Sequence, residues 1–258
     1  MSGSVSFDRA AEYYDETRGL SEEGVRRTTA ALAEAFAGAE PLLEVGVGTG
    51  QVAAPLHRAG VRVVGLDLSR AMLARLLDKG EGGPPFPLLE ADATAMPLRD
   101  GVFAGAYLRW VLHLIADWET AVREIARVVV PGGRFLAALG SYGGARSEIQ
   151  ARFAQLTGIS TAPVGLAWEG WPALDELVAA MGGSKLPDVT VRDHDHFDLE
   201  RFVRGVEEAR YSWTWGVADD VRRAAAAEVR SWAEARWGPL DRVPRETIEV
   251  RFAAYRMA

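Results

Sequence analysis

Gly46, Gly48 and Gly50 alternate in the stretch "LLEVGVGTG", straight after a short apolar run that holds one carboxylate, Glu44. Glycine accepts positive φ and carries no Cβ, so such a turn lets a ligand approach the backbone directly. Asp67 follows 17 residues after Gly50, at the end of a second apolar run, "VRVVGLD". A carboxylate placed there can accept two hydrogen bonds from a ribose diol. Two chemistries compete for this turn. A nicotinamide or flavin site wants G-x-G-x-x-G, whose third glycine lets a helix N-terminus approach a pyrophosphate. Here the spacing is G-x-G-x-G, with Gln51 next. Glu44 lies two residues before the first glycine, and a carboxylate facing this pocket fits poorly with a pyrophosphate and well with an ammonium or sulfonium group. The charge pattern favours a cationic, amino-acid-like nucleoside such as S-adenosylmethionine; an NAD(P)-dependent oxidoreductase is the competing reading.

Other groups with chemical potential fare less well. His194 and His196 in "RDHDHF" share one face of a strand, but no third ligand is evident and aspartates alternate with them, so an exposed edge strand is expected and no metal. His57 lies on the helix after the glycine turn and reads as solvent-facing. Aromatic residues crowd the second half: Trp168 and Trp171 in "AWEGWP", Tyr211, Trp213 and Trp215 in "YSWTWG", then Trp232 and Trp237. Most are expected to anchor a small helical layer. Indole rings above a sulfonium site also suit a planar or apolar small acceptor, or a cationic amine. Arg146, Arg152 and Arg210 read as solvated helix faces rather than contacts to an acceptor carboxylate.

The elements that must position these groups follow a repeating rhythm. Residues 21–37 predict a helix capped by Ser21, with Val25, Thr29, Leu32 and Phe36 on one face. Then "PLLEVGV", "VRVVGLD", "FPLLEAD", "GVFAGAYLRW" and "RFLAALG" read as short buried strands. Helices separate them at "GQVAAPLHRAG", "SRAMLARLLDKG" and "DWETAVREIARVVVPGG", the second capped by Ser69 and the third ended by Pro-Gly-Gly. Strands alternating with helices imply right-handed crossovers and a parallel sheet covered on both faces. After residue 140 the rhythm breaks into helices at 145–157, 172–181, 199–210 and 218–237, with strands at "LPDVTVRDHDHFD" and "TIEVRFAAYRM". The expected fold is α/β: a doubly wound, mostly parallel, seven-stranded sheet, with a helical cap inserted after strands 5 and 6. Residues 1–140 would form the nucleoside-binding core, and 141–258 the substrate region, with the cap at about 141–186 and 199–240.

Composition agrees with that frame. The chain has 258 residues, 48% of them hydrophobic, enough for a full core. Its formal charge of −7 offers no basic field to a nucleic acid or an anionic membrane. Of its 29 basic residues only Lys79 and Lys185 are lysines. There is no cysteine, which excludes disulfides, thiolate metal sites and a cysteine nucleophile. The opening residues lack the basic end and apolar block expected of a signal peptide, and no run approaches the roughly 20 apolar residues that span a bilayer. A cytoplasmic monomer or homodimer acting on a small molecule is expected.

Four motifs in order resemble the class I S-adenosylmethionine-dependent methyltransferases, nearest to the small-molecule subgroup that includes the ubiquinone and menaquinone biosynthesis enzymes. "LLEVGVGTG" is similar to their first motif, "VVGLDLSRAML" to the second and "LLEADATAMPL" to the third. "GVFAGAYLRWVLHLIADWETAVREIARVVVPGGRFL" resembles the rest of the core, and "FDRAAEYYDETR" matches more loosely. The similarity covers roughly residues 40–140. It implies that Glu44, Gly46, Gly48 and Gly50 surround the methionine part of the donor. It also implies that Asp67 binds the ribose, Leu68 and Met72 pack on the adenine, and Asp92 and the Ala93 amide meet its edge. Arg109 stands where the family usually has a small polar residue whose backbone carbonyl meets the ammonium. Tyr14 and Arg18 would fold over the donor carboxylate. His113 would lie near the transferred methyl as a general base or substrate contact, with Trp110, Trp168, Tyr211 and Trp215 around the acceptor. A non-catalytic S-adenosylmethionine-binding protein would look the same in sequence.

Overall fold

The computed structural model describes all residues except 1–2, 19, 81–83, 141–142, 195–197 and 245–246, and leaves out the side chains of Arg18 and His194. The expected placement of His194 and His196 on one face of an edge strand and the contact of Arg18 therefore lie outside the described residues.

The apolar runs become β1 (Leu42–Val45), β2 (Val63–Asp67), β3 (Leu88–Glu90), β4 (Phe103–Arg109) and β5 (Val129–Ala138). Two further strands, β6 (Ser184–His194) and β7 (Thr247–Arg256), complete a seven-stranded sheet of order β3-β2-β1-β4-β5-β7-β6. The first five run parallel, while β7 is antiparallel to both β5 and β6. Strand order reverses between β1 and β4, which opens a crevice beyond their carboxyl ends. Every residue of β1 is buried, because helices cover both faces, and all but Glu44 are apolar. Leu43 and Val45 join one core layer and Leu42 the other, as strand alternation requires.

Crossover helices α3 (Ala53–Arg58), α4 (Arg70–Asp78) and α5 (Trp118–Val128) link these strands. The Ser69 hydroxyl caps α4 by accepting from the Met72 amide at 3.1 Å. The third helix stops earlier than Pro-Gly-Gly: it ends at Val128, and Pro131, Gly132 and Gly133 lie within β5, where the pairing with β4 shifts register. Upstream stand α1 (Tyr14–Arg18) and α2 (Glu22–Ala35). Ser21 caps α2, its hydroxyl accepting from the Gly24 amide at 2.9 Å. The buried stripe of α2 is Gly24, Thr28 and Leu32, one residue around from the expected Val25 and Thr29. The Asp193 carboxylate on β6 accepts from the Ser21 amide at 3.0 Å and turns the helix toward that strand.

The irregular half divides between two layers. Helices α6 (Gly144–Thr157), α8 (Leu199–Glu207) and α9 (Asp219–Trp237) pack around Ile149, Phe153, Phe202, Val206 and Val229. By contrast α7 (Trp171–Ala180), inside the expected cap range of 141–186, inserts Leu174, Leu177 and Val178 into the core of the sheet. Its apolar residues face β-strands rather than the other inserted helices. Among the described residues no helix is long and apolar enough to cross a membrane.

Candidate functional site

A cavity of about 680 Å³ opens over the crevice between β1 and β4. Three parts of the chain wall it: the carboxyl ends of the parallel strands, the N-terminal segment, and the helical layer. Its volume suits a nucleoside-sized ligand together with a small second molecule.

At the strand ends, Gly46 has φ of 74° and a Cβ there would meet Val111 at 2.4 Å, so this position admits glycine alone. Asp67 closes β2. Its Oδ2 accepts from the Gly48 amide at 2.7 Å and its Oδ1 from the Ser69 amide at 2.8 Å. One carboxylate therefore braces the glycine turn and starts α4. Burial pushes its pKa upward, against the backbone donors that favour the charged form. Asp92, after β3, takes the Thr94 amide at 2.9 Å and hydroxyl at 2.8 Å on Oδ1. Leu68, Met72, Ala93, Arg109 and Tyr14 line the same end, as expected.

Three expected site residues are elsewhere. Glu44 does not line the cavity; alternation along β1 turns it to the opposite face from Val45, which does. It is 4% exposed and accepts from the Tyr107 phenol at 2.9 Å. Burial pushes its pKa up to about 8, so the argument from its negative charge is corrected. Gly50 lies behind the turn against Leu76, outside the lining. Tyr211 is buried in the helical layer, stacked on Trp213 with centroids 5.6 Å apart, and also misses the cavity.

The N-terminal segment was only loosely legible, and the structure makes it a wall. Asp8 Oδ1 accepts from the Ser69 hydroxyl at 2.6 Å and the Ala71 amide at 3.2 Å. Asp15 on α1 accepts from the Thr49 hydroxyl at 2.5 Å and Gln51 Nε2 at 2.9 Å, and pairs with Lys79. Those bonds hold the Asp15 carboxyl below its ordinary pKa even though burial pushes the other way. Phe7 then fills the gap to the helical layer, 5.4 Å from the Trp215 ring and 5.8 Å from Tyr14. No local pattern marks Asp8 or Asp15, since their partners are 61 and 34 residues away.

At the other end of the cavity His113 sits in a short turn after β4, its ring centroid 4.3 Å from that of Trp168. Trp168 is delivered by the segment 159–170, which is sewn to the His113 turn. The Gly165 amide donates to the His113 carbonyl and the Leu166 amide to the Leu112 carbonyl, both at 3.1 Å. A Cβ on Gly165 would come within 2.2 Å of the Leu112 and Ile115 carbonyl oxygens. Trp110, held at φ of 60°, and Trp215 complete the expected aromatic lining. Trp213 belongs to the wall as well, and its Nε1 is buried without a hydrogen-bond partner.

Comparison with known proteins agrees with this geometry. Residues 43–137 match the family described as a methyltransferase domain. The demethylmenaquinone methyltransferase of Streptomyces avermitilis is 37% identical over 131 residues, which is 50% of this chain and 55% of that protein. The chain thus spans about half the length of such curated relatives. Among solved structures, a protein of Bacillus halodurans assigned as a methyltransferase superposes with a TM-score of 0.58 at 18% identity, covering 89% of this chain and 98% of that one. The [4+2]-cyclase SpnF gives the same TM-score of 0.58 at 19% identity, over 99% and 98% of the two chains. At such identities the likeness is one of fold. With the strand order and the glycine turn, these matches make residues 43–137 similar to class I S-adenosylmethionine-dependent methyltransferases, the quinone-biosynthesis enzymes among them.

Proposed function

We propose that this chain transfers a methyl group from S-adenosylmethionine to an O, N or C atom of a small, apolar or aromatic molecule. The observation that carries the reading is the pair of carboxylates at the ends of the adjacent strands β2 and β3. Asp67 and Asp92 flank a glycine turn spaced G-x-G-x-G rather than G-x-G-x-x-G. A nicotinamide dinucleotide fits that arrangement poorly, and an adenosyl group bearing an amino acid fits it well.

S-adenosylmethionine supplies a methyl carbon bonded to a sulfonium, so transfer needs alignment rather than a protein nucleophile. In this reading Asp67 accepts from the ribose hydroxyls, and Leu68 and Met72 hold the adenine between them. Asp92 and the Ala93 amide meet the base edge, Tyr14 covers the site from the N-terminal side, and Gly46 and Gly48 leave space for the methionine part. His113 holds the proton that a protonated acceptor releases, and Trp168 packs against the imidazole with the two rings tilted by 42°. Trp110 and Trp215 exclude water and offer flat faces to the acceptor. Residues 1–140 bind the donor and 141–258 supply the acceptor wall. An acidic surface with no basic field accords with a small-molecule rather than a nucleic-acid acceptor.

The test is incubation with methyl-labelled S-adenosylmethionine and a fractionated metabolite extract. A labelled small molecule is expected, and its structure names the acceptor. Donor binding without any labelled product would make the protein a non-catalytic binder. Binding of NAD(P) in preference to adenosyl compounds would overturn the assignment.

A further inference from the structure

We propose that the Arg109 side chain is the seat of the donor's carboxylate, an assignment that rests on the methyl-donor reading above. Val45 and Leu108 are in register on β1 and β4, which brings Arg109 level with Gly46, the first residue of the glycine turn. The side chain lines the cavity there. Its guanidinium lies 4.3 Å from the Trp110 ring centroid, and Nη2 donates to Gln51 Oε1 at 2.9 Å. Gln51 is itself held, its Nε2 donating to Asp15 at 2.9 Å. The flat fork of this arginine is therefore fixed by a ring on one side and an amide on the other.

Half of that fork is unused. Nη1 is buried and has no hydrogen-bond partner among the described residues. A buried cationic donor left unsatisfied is costly, and a carboxylate is the group whose geometry matches a guanidinium edge. The nearby acid inside the protein does not meet the need. Glu44 bonds Tyr107 instead, and burial favours its neutral form. The other carboxylates nearby are committed as well: Asp67 to the glycine turn, Asp92 to Thr94, Asp15 to Lys79 and Thr49, and Glu249 in the lining to Arg192. The other arginine in the lining, Arg146, stands on α6 over the Phe202 ring, on the helical-layer side.

The adenosyl donor brings three charges: a sulfonium, an ammonium and a carboxylate. Asp67 and Asp92 add negative charge at the nucleoside end, so the cation that balances the carboxylate has to come from the opposite side of the turn. Arg109 stands there. Gln51 is then a positioning residue, which presents the guanidinium and ties it through Asp15 to α1.

The experiment measures dissociation constants by calorimetry for S-adenosylmethionine and for its decarboxylated analogue, which keeps the sulfonium and ammonium. Arg109→Gln should weaken S-adenosylmethionine at least tenfold, about 1.4 kcal/mol, and leave the decarboxylated analogue within twofold. Arg109→Lys, which keeps the charge but not the fork, should give a smaller loss, again confined to the carboxylate-bearing ligand; it also serves if Arg109→Gln fails to fold. Equal losses for both ligands would make Arg109 a structural residue and overturn the proposal. No loss for either would overturn it too, and would direct the guanidinium at an acceptor anion. A wild-type protein that binds neither ligand would fail the donor reading itself, a result distinct from either variant outcome.

Discussion

The Tyr107 phenol donates to Glu44 Oε2 at 2.9 Å, between two side chains that face each other in register on β4 and β1 and are both shut off from water. The pair converts an acidic residue beside a ligand turn into an interior hydrogen-bonding group. The pKa of Glu44 rises from an ordinary 4.5 to about 8 because burial penalises the charge. A carboxyl raised in the folded state contributes stability below its unfolded pKa and loses it as pH climbs through the folded one. From about pH 4.5 to about pH 8 the protein should therefore lose stability through this group, by at most about 1.4 kcal/mol per pH unit. Glu44→Gln keeps the shape and removes the titration. Denaturant melts at intervals across that range should show a flatter slope for the variant than for the wild type. Parallel slopes would refute the assignment.

Asp67 is predicted to couple turn geometry to ligand affinity. Asp67→Asn retains acceptor capacity at one atom but loses the charge-assisted bonds. S-adenosylhomocysteine affinity should fall at least about tenfold, measured by calorimetry on protein whose circular dichroism is unchanged. Unaltered affinity in a folded variant would remove Asp67 from the donor site.

Asp15 should act as a latch. Asp15→Asn breaks the ion pair with Lys79 and weakens the bonds from Thr49 and Gln51, all on or beside the glycine turn. Amide hydrogen exchange over residues 5–17 should accelerate and S-adenosylhomocysteine should dissociate faster. The sheet strands should exchange at their wild-type rate, which separates local release from global loss of stability.

The Gly165 prediction tests the acceptor wall without touching the donor end. Gly165→Ala places a methyl within 2.2 Å of two carbonyl oxygens and must push the segment bearing Trp168 away from His113. Stability should drop by about 1–3 kcal/mol, the usual scale of overpacking, while the donor dissociation constant stays within twofold. A variant as stable as the wild type would mean that the segment relaxes without strain.

Once an acceptor is identified, His113→Ala should lower kcat by at least about a hundredfold if the ring takes the acceptor's proton. Donor affinity should not change. Wild-type turnover would assign His113 to packing against Trp168.

Much of the scaffold was legible because its signals are local. Apolar runs with a period of two or none gave the strands, and Ser21 and Ser69 announced their helices by capping chemistry that acts over three residues. Gly46, Gly48, Asp67 and Asp92 fell on the cavity wall, since turn and strand-end residues occupy fixed places in a doubly wound sheet. Leu68, Met72, Ala93, Trp110, Trp168 and Trp215 fell on the cavity for the same reason.

Tertiary structure decided what depends on direction and distance. Whether Glu44 faced the ligand or the core turned on which face of β1 the helices left open, and Tyr107, 63 residues away, settled it. Tyr211 and Trp215 lie four residues apart in an irregular stretch with no period to read, yet one packs inside the helical layer and the other lines the cavity. The latches of Asp8 and Asp15 and the half-used fork of Arg109 exist only after distant segments meet. A polar side chain carries no sign in sequence of which partner folding will bring to it, whereas periodicity, caps and glycines act on their own neighbours.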